Sequence, residues 1–212
     1  MIKLLSKALL ILTAIVTVAS CGPTIYMSED AKALSYKHKT LAIVPPSISI
    51  TKAKGMSAEA LLETQRSQSL NFQSEIYKSL LRRKSKGQIK ADFQDYLTTN
   101  TLLERAGFPE KGLTPSEMCE ILGVDGLINS NFTMAEPMST GAAIATSYLL
   151  GVSGSTNEVT TSLQVYDCPT EKMIFNYDWK ASGGLGSSEE DLIEALMKNA
   201  SKKLPHYKNE GE

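Results

Sequence analysis

The chain has 212 residues, with 22 lysines and arginines, 23 aspartates and glutamates, and a formal net charge of −1. This near neutrality does not imply a strongly basic face for a phosphate backbone, so we do not expect nucleic acid as a partner. The length supports one domain with a sizeable hydrophobic core, and no internal repeat divides the chain.

The first twenty residues have the pattern of a bacterial lipoprotein signal. Lys3 and Lys7 precede an apolar run from Ala8 to Val18, and small residues then lead to Cys21. A secretory signal has this order, with a lipid-accepting thiol placed here after the cleavage site. The apolar run is shorter than the ~20 residues of a membrane span. We therefore expect removal of residues 1–20 and acylation of Cys21, with palmitate as an attached chain.

The residues after the cysteine bear on the membrane and on the reach of the domain. Bacterial lipoproteins with an aspartate at this point are usually retained at the inner membrane, whereas Gly22 and Pro23 follow here. We expect the outer membrane, with a periplasm-facing domain, and surface display as the alternative. Residues 21–39 are mixed and polar, which predicts a tether with a solvated His38 and a reach of roughly 60 Å.

Residues 40–204 carry the signals of a single α/β domain. The apolar run Thr40–Val44 predicts a buried strand. A long helix should follow, capped by Ser57 and ending before Gly87. The cations near its end suit the negative end of the helix dipole, an interpretation that we prefer to an anion site; they are Arg82, Arg83, Lys84 and Lys86.

Shorter elements complete the predicted order. A short strand at 89–93 and a helix at 99–106 precede the capping box of Thr114 and Glu117, which begins a helix ending at Gly123. A strand should run from 124 to 134. A hairpin follows, and its alternating residues share one face of each strand: Val159, Thr161, Leu163 and Val165, then Met173, Phe175, Tyr177 and Trp179. A helix begins near Ser187 and stops at Pro205, and residues 205–212 form a tail. The expected fold class is α/β, a mixed sheet of about four to five strands with helices.

Three features together resemble a superfamily of bacterial envelope lipoproteins. They are the lipoprotein cysteine, the first strand with Pro45 and Pro46 after it, and the passage from Met118 to Ile128, which reads MCEILGVDGLI. That superfamily includes the curli-secretion channel lipoprotein, outer-membrane activators of peptidoglycan synthases and the N-terminal domain of the Tol-system propeller protein. The resemblance covers residues 40–204. It implies an α/β sandwich similar to the anticodon-binding fold, in proteins that work by assembly or partner binding.

Residues 137–156 are the one candidate insertion in this domain. The curli channel builds its membrane barrel from two long hairpins per subunit, but the stretch 141–151 lacks the in-out alternation of a barrel wall. We expect a short helix or packed loop that contacts another subunit, lipid or its own domain. The simplest alternative is that this segment packs on its own domain, because large exposed apolar patches are uncommon on monomers. The predicted interaction surface comprises Ile144, Tyr148, Leu149, Leu150 and Val152.

Catalysis has little support in the sequence. The glycine-rich stretch 183–188 resembles a phosphate loop in composition, but it lacks the lysine and the strand-to-helix unit of the nucleotide-binding motifs. The chain has no nucleophile elbow, no paired histidines and no cysteine spacing suited to zinc. We therefore predict a protein that is not an enzyme and has no cofactor, no metal and no small-molecule substrate.

Two cysteines, Cys119 and Cys168, remain beside the lipid acceptor. If the strand that starts near Asp125 pairs antiparallel with the strand that ends near Asp167, both cysteines come to the same end of the sheet. An exported protein meets an oxidising compartment, and a bridge would close a loop of about 50 residues. Two separate buried thiols are the alternative, because Cα atoms more than about 7 Å apart cannot be bridged without backbone movement.

These observations predict an outer-membrane-anchored lipoprotein that acts without catalysis, as an assembly or accessory component of a cell-envelope system. Beyond the lipid held through Cys21, the expected partner is a second copy of the chain or another envelope protein. A subunit of a secretion channel and a tethered regulator of a peptidoglycan synthase are the alternatives.

Overall fold

A mixed β-sheet with helices on both faces forms the domain in the computed structural model, which describes residues 22–50, 57–135, 157–183 and 189–208. Within those ranges the strands are β1 (Thr24–Met27), β2 (Thr40–Ile43), β3 (Ser47–Ile50), β4 (Asp92–Phe93), β5 (Gly126–Ala135), β6 (Asn157–Asp167) and β7 (Lys172–Gly183). The helices are α1 (Ala31–Ser35), α2 (Ala58–Ser85), α3 (Tyr96–Arg105), α4 (Pro115–Leu122) and α5 (Glu189–Ala200). The predicted α/β class is confirmed.

The sheet combines an antiparallel half with a parallel half. Its order is β1-β7-β6-β5-β2-β4, and β3 also pairs with β5 beyond the end of β2. Strands β1, β7, β6 and β5 pair antiparallel, whereas β5 pairs parallel with β2 and β3, and β2 pairs parallel with β4. Gly126 lies opposite Asp167, as the antiparallel pairing expected from the sequence requires.

The described sheet has seven strands, more than the four to five predicted. Strand β3 is not predicted because Pro45 and Pro46 end the apolar run before it, although Ile48 and Ile50 alternate with serines as in a half-buried strand. Strand β1 is not predicted because its residues lie in the expected tether.

The tether prediction for residues 21–39 is wrong for most of its length. Strand β1 pairs with β7 over Phe175–Asp178. Ala31 and Ser35 of α1 are buried, and Ser35 Oγ donates a hydrogen bond to the carbonyl of Pro205 at 3.0 Å. The start of the predicted C-terminal tail also belongs to the fold, since Lys208 N donates to Gln88 O at 2.9 Å.

Two hydrophobic clusters fix the helices on opposite faces of the sheet. Helices α2 and α5 cover one face, where Phe72 packs edge-to-face on Phe132 with ring centroids 5.0 Å apart. Helices α3 and α4 cover the other face over the start of β5, around Leu103, Leu122 and Leu127. No helix in the described part of the chain is both long and apolar enough to cross a membrane.

The helix starts follow the capping residues. Ser57 Oγ accepts from Ala60 N at 3.1 Å, and Thr114 and Glu117 form the predicted capping box. Gly123 ends α4 in the left-handed region with φ 62°, which glycine adopts at little cost. Helix α3 begins three residues earlier than predicted because Asp95, rather than a later residue, caps it by accepting from Thr98 N at 3.0 Å.

An irregularity in the β6–β7 hairpin changes one predicted face. Val165 pairs with Phe175 but Tyr166 pairs with Met173, so Ile174 is an extra residue in β7. Ile174 and Phe175 are both buried, whereas Met173 is 40% exposed. A single bulged residue moves the side chains that precede it to the other face of the strand. The prediction that Met173 shares a face with Phe175 is therefore wrong.

Candidate functional site

Two histidines and an aspartate are in contact inside the domain. His38 Nε2 lies 2.7 Å from Asp167 Oδ1, and His38 Nδ1 lies 2.9 Å from His206 Nε2. All three residues are at most 5% exposed. The other carboxylate oxygen of Asp167 accepts a hydrogen bond from Thr170 N at 2.9 Å.

The carboxylate fixes one proton position in this cluster. An ionised carboxylate only accepts hydrogen bonds, so His38 Nε2 carries a proton and donates it to Asp167. In the contact between His38 Nδ1 and His206 Nε2, which nitrogen donates depends on the tautomers of the two rings. His206 Nδ1 is buried and has no hydrogen-bond partner within the described structure.

Burial and the neighbouring charges shift two pKa values in the cluster. The pKa of His206 is lowered to about 3, mainly by burial and also by the charge interaction with His38, whereas the Asp167 carboxylate opposes both effects. Burial raises the pKa of Asp167, but the hydrogen bonds from Thr170 and His38 outweigh this effect and hold it below its usual value. His206 is therefore neutral and Asp167 ionised at neutral pH.

The passage between α4 and β5 supports this cluster. Lys39 N and Thr40 N both donate to Asp125 Oδ2 at 2.8 Å, which fixes the chain just after His38. A Cβ on Gly126 would lie 2.8 Å from the ring of His38. The glycine is needed because the imidazole lies directly against the backbone of β5. These two residues explain part of the passage on which the family resemblance rests.

The cluster has the residue types of an acid–base pair, but it is not accessible to a substrate. The side chains of His38 and Asp167 are 1% and 3% exposed, so no substrate atom reaches them. The three residues lie before β2, at the end of β6 and after α5. They therefore join both ends of the described chain to one end of the sheet, and we interpret the cluster as structural.

The prediction of a solvated His38 is wrong, and no sequence signal identified its partners. Asp167 is 129 positions away from it and His206 is 168 positions away. A lone histidine next to a polar segment gives no indication of burial. The pairing of β2, β5 and β6 brings His38 to Asp167, and the segment after α5 places His206 against His38.

Cys119 and Cys168 are joined by a disulfide in the structure, with Cα atoms 5.6 Å apart. Cys119 lies in α4, and Cys168 follows β6 directly, at the same end of the sheet as Asp167. Cys168 N donates to Asp125 O at 3.0 Å. The bridge therefore fastens α4 to the strand end that holds the buried cluster.

A groove lies between β3, the first half of α2 and the end of α3. Its volume is about 540 Å³. The apolar lining comprises Pro45, Pro46, Ile48, Leu62, Leu70, Leu103, Phe108 and Pro109. Four glutamates and one arginine also line it: Glu59, Glu63, Glu104, Glu110 and Arg66. Leu62 is 66% exposed, an unusually open position for a leucine at the mouth of an apolar groove. We call this feature the acidic groove.

Cations collect at the other end of α2. Arg83 donates to Ser201 Oγ at 3.0 Å and to the carbonyl of Lys198 at 3.1 Å, so the ends of α2 and α5 lie side by side. The cations of these two ends are Arg82, Arg83, Lys84, Lys86, Lys198, Lys202 and Lys203. Two acids pair with this group, Asp92 with Lys84 and Glu194 with Arg82. We call this surface the basic end.

Strand β1 forms a third exposed feature at the edge of the sheet. Ile25, Tyr26 and Met27 are 40%, 49% and 39% exposed. Ile25 and Met27 lie opposite Tyr177 and Phe175 on the face covered by α2 and α5, and Tyr26 lies opposite Asn176 on the other face. Large side chains therefore flank this strand on both sides.

The remaining predicted site residues fall outside the described residues. They are the lipid acceptor Cys21 and the predicted interaction surface, Ile144, Tyr148, Leu149, Leu150 and Val152. Most of the glycine-rich stretch 183–188 is likewise outside. The described residues contain no group of three or more histidines, cysteines, aspartates or glutamates placed to hold a metal ion.

The described residues form an α/β domain with a mixed sheet and a buried polar cluster. Its exposed features are the acidic groove, the basic end and strand β1. No family model matches the chain, and no curated protein matches it. Solved structures do resemble it. A PelC dodecamer from Paraburkholderia phytofirmans is similar with 9% identity and a TM-score of 0.48, over 88% of this chain and 98% of that one.

Two further structures are similar. Lipoprotein GNA1162 from Neisseria meningitidis has 10% identity and a TM-score of 0.42, over 78% of this chain and 95% of that one. The LpoB C-terminal domain from Salmonella enterica has 13% identity and a TM-score of 0.31, over 74% and 96%. TM-scores below 0.5 leave the function to be argued from the residues of this chain.

Proposed function

We propose that this protein is a lipid-anchored envelope protein that acts without catalysis, as a subunit of an assembly built from copies of itself. The observation that carries the proposal is the separation of charge along α2. The acidic groove lies at the start of this helix and the basic end lies at its finish. The anchor is the acylated Cys21 expected from the sequence, in the outer membrane.

The distance between the two surfaces favours contact between copies rather than within one copy. Helix α2 has 28 residues, which at about 1.5 Å per residue span roughly 42 Å. The groove and the basic end are therefore too far apart to meet in one molecule. A second copy placed head to tail brings its basic end to the groove of the first.

The chemistry of the groove suits such a contact. Apolar walls supply surface to bury, and four glutamates against one arginine leave an excess of negative charge around them. Exposed ion pairs contribute only about 0–1 kcal/mol each, so we expect buried apolar contact around Leu62 to supply affinity and the charges to supply orientation. Head-to-tail contacts form a ring if the rotation closes and a filament if it does not.

The experiment compares the same leucine-to-aspartate substitution at two exposed positions. Leu62→Asp places a charge at the mouth of the groove. Leu97→Asp is the matched control, because Leu97 is 61% exposed on α3 and does not line the groove. We expect light scattering of the detergent-extracted protein to give an oligomer for the wild type and Leu97→Asp, and a monomer for Leu62→Asp. An oligomer of unchanged mass in Leu62→Asp contradicts the proposal.

Mixing two defective copies tests the head-to-tail geometry itself. Leu62→Asp lacks the groove surface, and Lys202→Glu with Lys203→Glu weakens the basic end. Each variant alone should be a monomer. Mixed in equal amounts they should form dimers and nothing larger, because each pair has one intact groove and one intact basic end. Failure to form dimers would indicate a contact of another kind.

The tethered-regulator alternative requires a longer leash than we propose. A regulator that reaches a distant synthase needs such a leash, but the first described strand begins at Thr24, three residues beyond the expected anchor. The interaction surface predicted at 137–156 stays a prediction. It would add to the groove contact if both lie in the same interface.

A further inference from the structure

Among the described elements, the strand β1 lies closest in sequence to the expected anchor. Two residues, Gly22 and Pro23, separate Cys21 from Thr24, and the three steps from Cys21 to Thr24, at 3.3–3.6 Å each, span at most about 11 Å. An acylated Cys21 has its chains in the bilayer and its backbone at headgroup level. The start of β1 therefore stays within about 11 Å of the headgroups.

The side chains of β1 fit that position. Three consecutive large residues, Ile25, Tyr26 and Met27, are each about two-fifths to one-half exposed. Tyrosine is enriched at membrane interfaces because its ring is apolar and its hydroxyl is polar. Ile25 and Met27 add apolar area on the opposite face of the strand.

The backbone of β1 limits how deep it goes. In the described sheet β1 is the last strand and pairs only with β7, which leaves one side of its backbone without a strand partner. Open sheet edges do not occur in the hydrocarbon core, because nothing there satisfies their N–H and C=O groups. The headgroup region holds water and polar groups that do satisfy them.

We propose that β1 docks edge-on in the headgroup region of the bilayer that holds Cys21, through Ile25, Tyr26 and Met27. The proposal rests on the lipid anchoring proposed above. It replaces the long flexible tether expected from the sequence with a domain held against the membrane. Docking would place the remaining surfaces, the acidic groove and the basic end, at a set height above the lipid.

The test measures contact between a probe on β1 and lipid. Met27→Cys in the lipidated full-length protein carries a fluorescent label, and Leu97→Cys is the control position of similar or greater exposure on α3. Both are inserted in vesicles of phosphatidylethanolamine and phosphatidylglycerol that contain a lipid spin-labelled near the headgroup. We expect at least twofold stronger quenching at position 27 than at position 97. Equal quenching at both positions overturns the docking.

A longer leash separates docking from mere proximity. Twelve glycine and serine residues inserted between Pro23 and Thr24 release the strand from the anchor. If the side chains themselves bind lipid, quenching at position 27 persists after the insertion and falls when Ile25→Ser and Tyr26→Ser are added. Both serine substitutions are at exposed positions, and an unchanged thermal melt shows that the fold is kept. Quenching that disappears with the insertion alone overturns the proposal.

Two other outcomes are distinguishable. A wild-type chain that does not float with vesicles is not anchored, which overturns the anchoring and the docking together. A floating chain whose probe at position 27 is quenched by labels on other copies, but not by lipid, has its edge paired with a second β1 instead. Leu62→Asp should leave the lipid quenching unchanged, since the docking does not depend on the groove contact.

Discussion

The chemistry of His206 depends strongly on its surroundings. Its ring is buried against His38, and its pKa is lowered to about 3. In the unfolded chain a histidine has a pKa of about 6.5. Between these values the unfolded state binds a proton that the folded state does not bind, so acid favours unfolding.

We therefore expect the free energy of unfolding to fall as the pH drops from about 6.5 towards 3, by up to about 1.4 kcal/mol per pH unit from this group. Asp167 acts in the same direction near its own lowered pKa, since protonation removes its acceptor role. His206→Gln keeps an N–H for His38 Nδ1 but does not titrate. Urea unfolding at pH 4, 5 and 6 should give a flatter dependence for this variant.

Lys90→Gln is the control for that measurement, because Lys90 is exposed and lies outside the buried cluster, the acidic groove and the basic end. Its pH dependence should equal that of the wild type. A wild-type stability that is constant between pH 4 and 6.5 would show that His206 is not held neutral by burial.

The residues of this cluster show where sequence reasoning stops. Capping residues act over three or four positions, so Thr114, Glu117 and Ser57 identified their helix starts correctly. In the buried cluster, His38 lies 129 positions from Asp167 and 168 positions from His206. No local pattern encodes that contact. In the sequence, Gly126 is only part of the passage that carries the family resemblance. The need for glycine at this position is explained by the ring of His38, which the fold places against it.

At the scale of elements, hydrophobic pattern predicted the strands with a long or strongly apolar run. Strands β2, β5, β6 and β7 fall in that class, and so does the antiparallel pairing of β5 with β6. The edge strand β1 has four exposed residues and so lacks the burial pattern that identifies a strand. No proline or glycine in the sequence indicates the bulge at Ile174. The bulge results from tertiary packing, which buries the two successive residues Ile174 and Phe175.

The link between α4 and the end of β6 gives a prediction about stability. Cys119 and Cys168 are 49 positions apart, and a disulfide closing a loop of that length typically contributes about 2–4 kcal/mol. We expect the double variant Cys119→Ala, Cys168→Ala to unfold at a lower urea concentration, because its free energy of unfolding is lower by that amount. The exposed surface of the helix and its cap are unchanged, so the fold itself should persist.

Reduction provides the control for the disulfide. The wild type treated with dithiothreitol should lose as much stability as the double variant, and the double variant itself should not respond to the reductant. Two reactive thiols in the denatured, unreduced protein would show that the cysteines are separate. In that case the packing of α4 on Ala42 and Leu127 alone holds the helix.

At the scale of the whole molecule, the short link at Gly22 and Pro23 changes how assembly works. Copies held by acyl chains, with their folds starting three residues from the anchor, share a thin layer above the membrane. Confinement raises the effective concentration of one copy near another, which strengthens a weak contact without any new interaction. A groove of modest size can then support an assembly on a membrane at protein concentrations that are too low for the same assembly in solution.

Cys21→Ser tests this dependence directly. The variant lacks the acceptor thiol, so we expect no incorporation of labelled palmitate and no flotation with vesicles. We further expect a monomer at concentrations where the lipidated protein, on vesicles, shows energy transfer between labelled copies. The fold should be unchanged, because the described structure begins after Cys21 and its first hydrogen-bonded strand starts at Thr24. Leu62→Asp on vesicles is the matched control, anchored but without the groove contact, and its energy transfer should fall to the level of random mixing. Equal self-association of the Cys21→Ser variant and the anchored wild type would mean that the contact between copies is strong enough to act without the membrane.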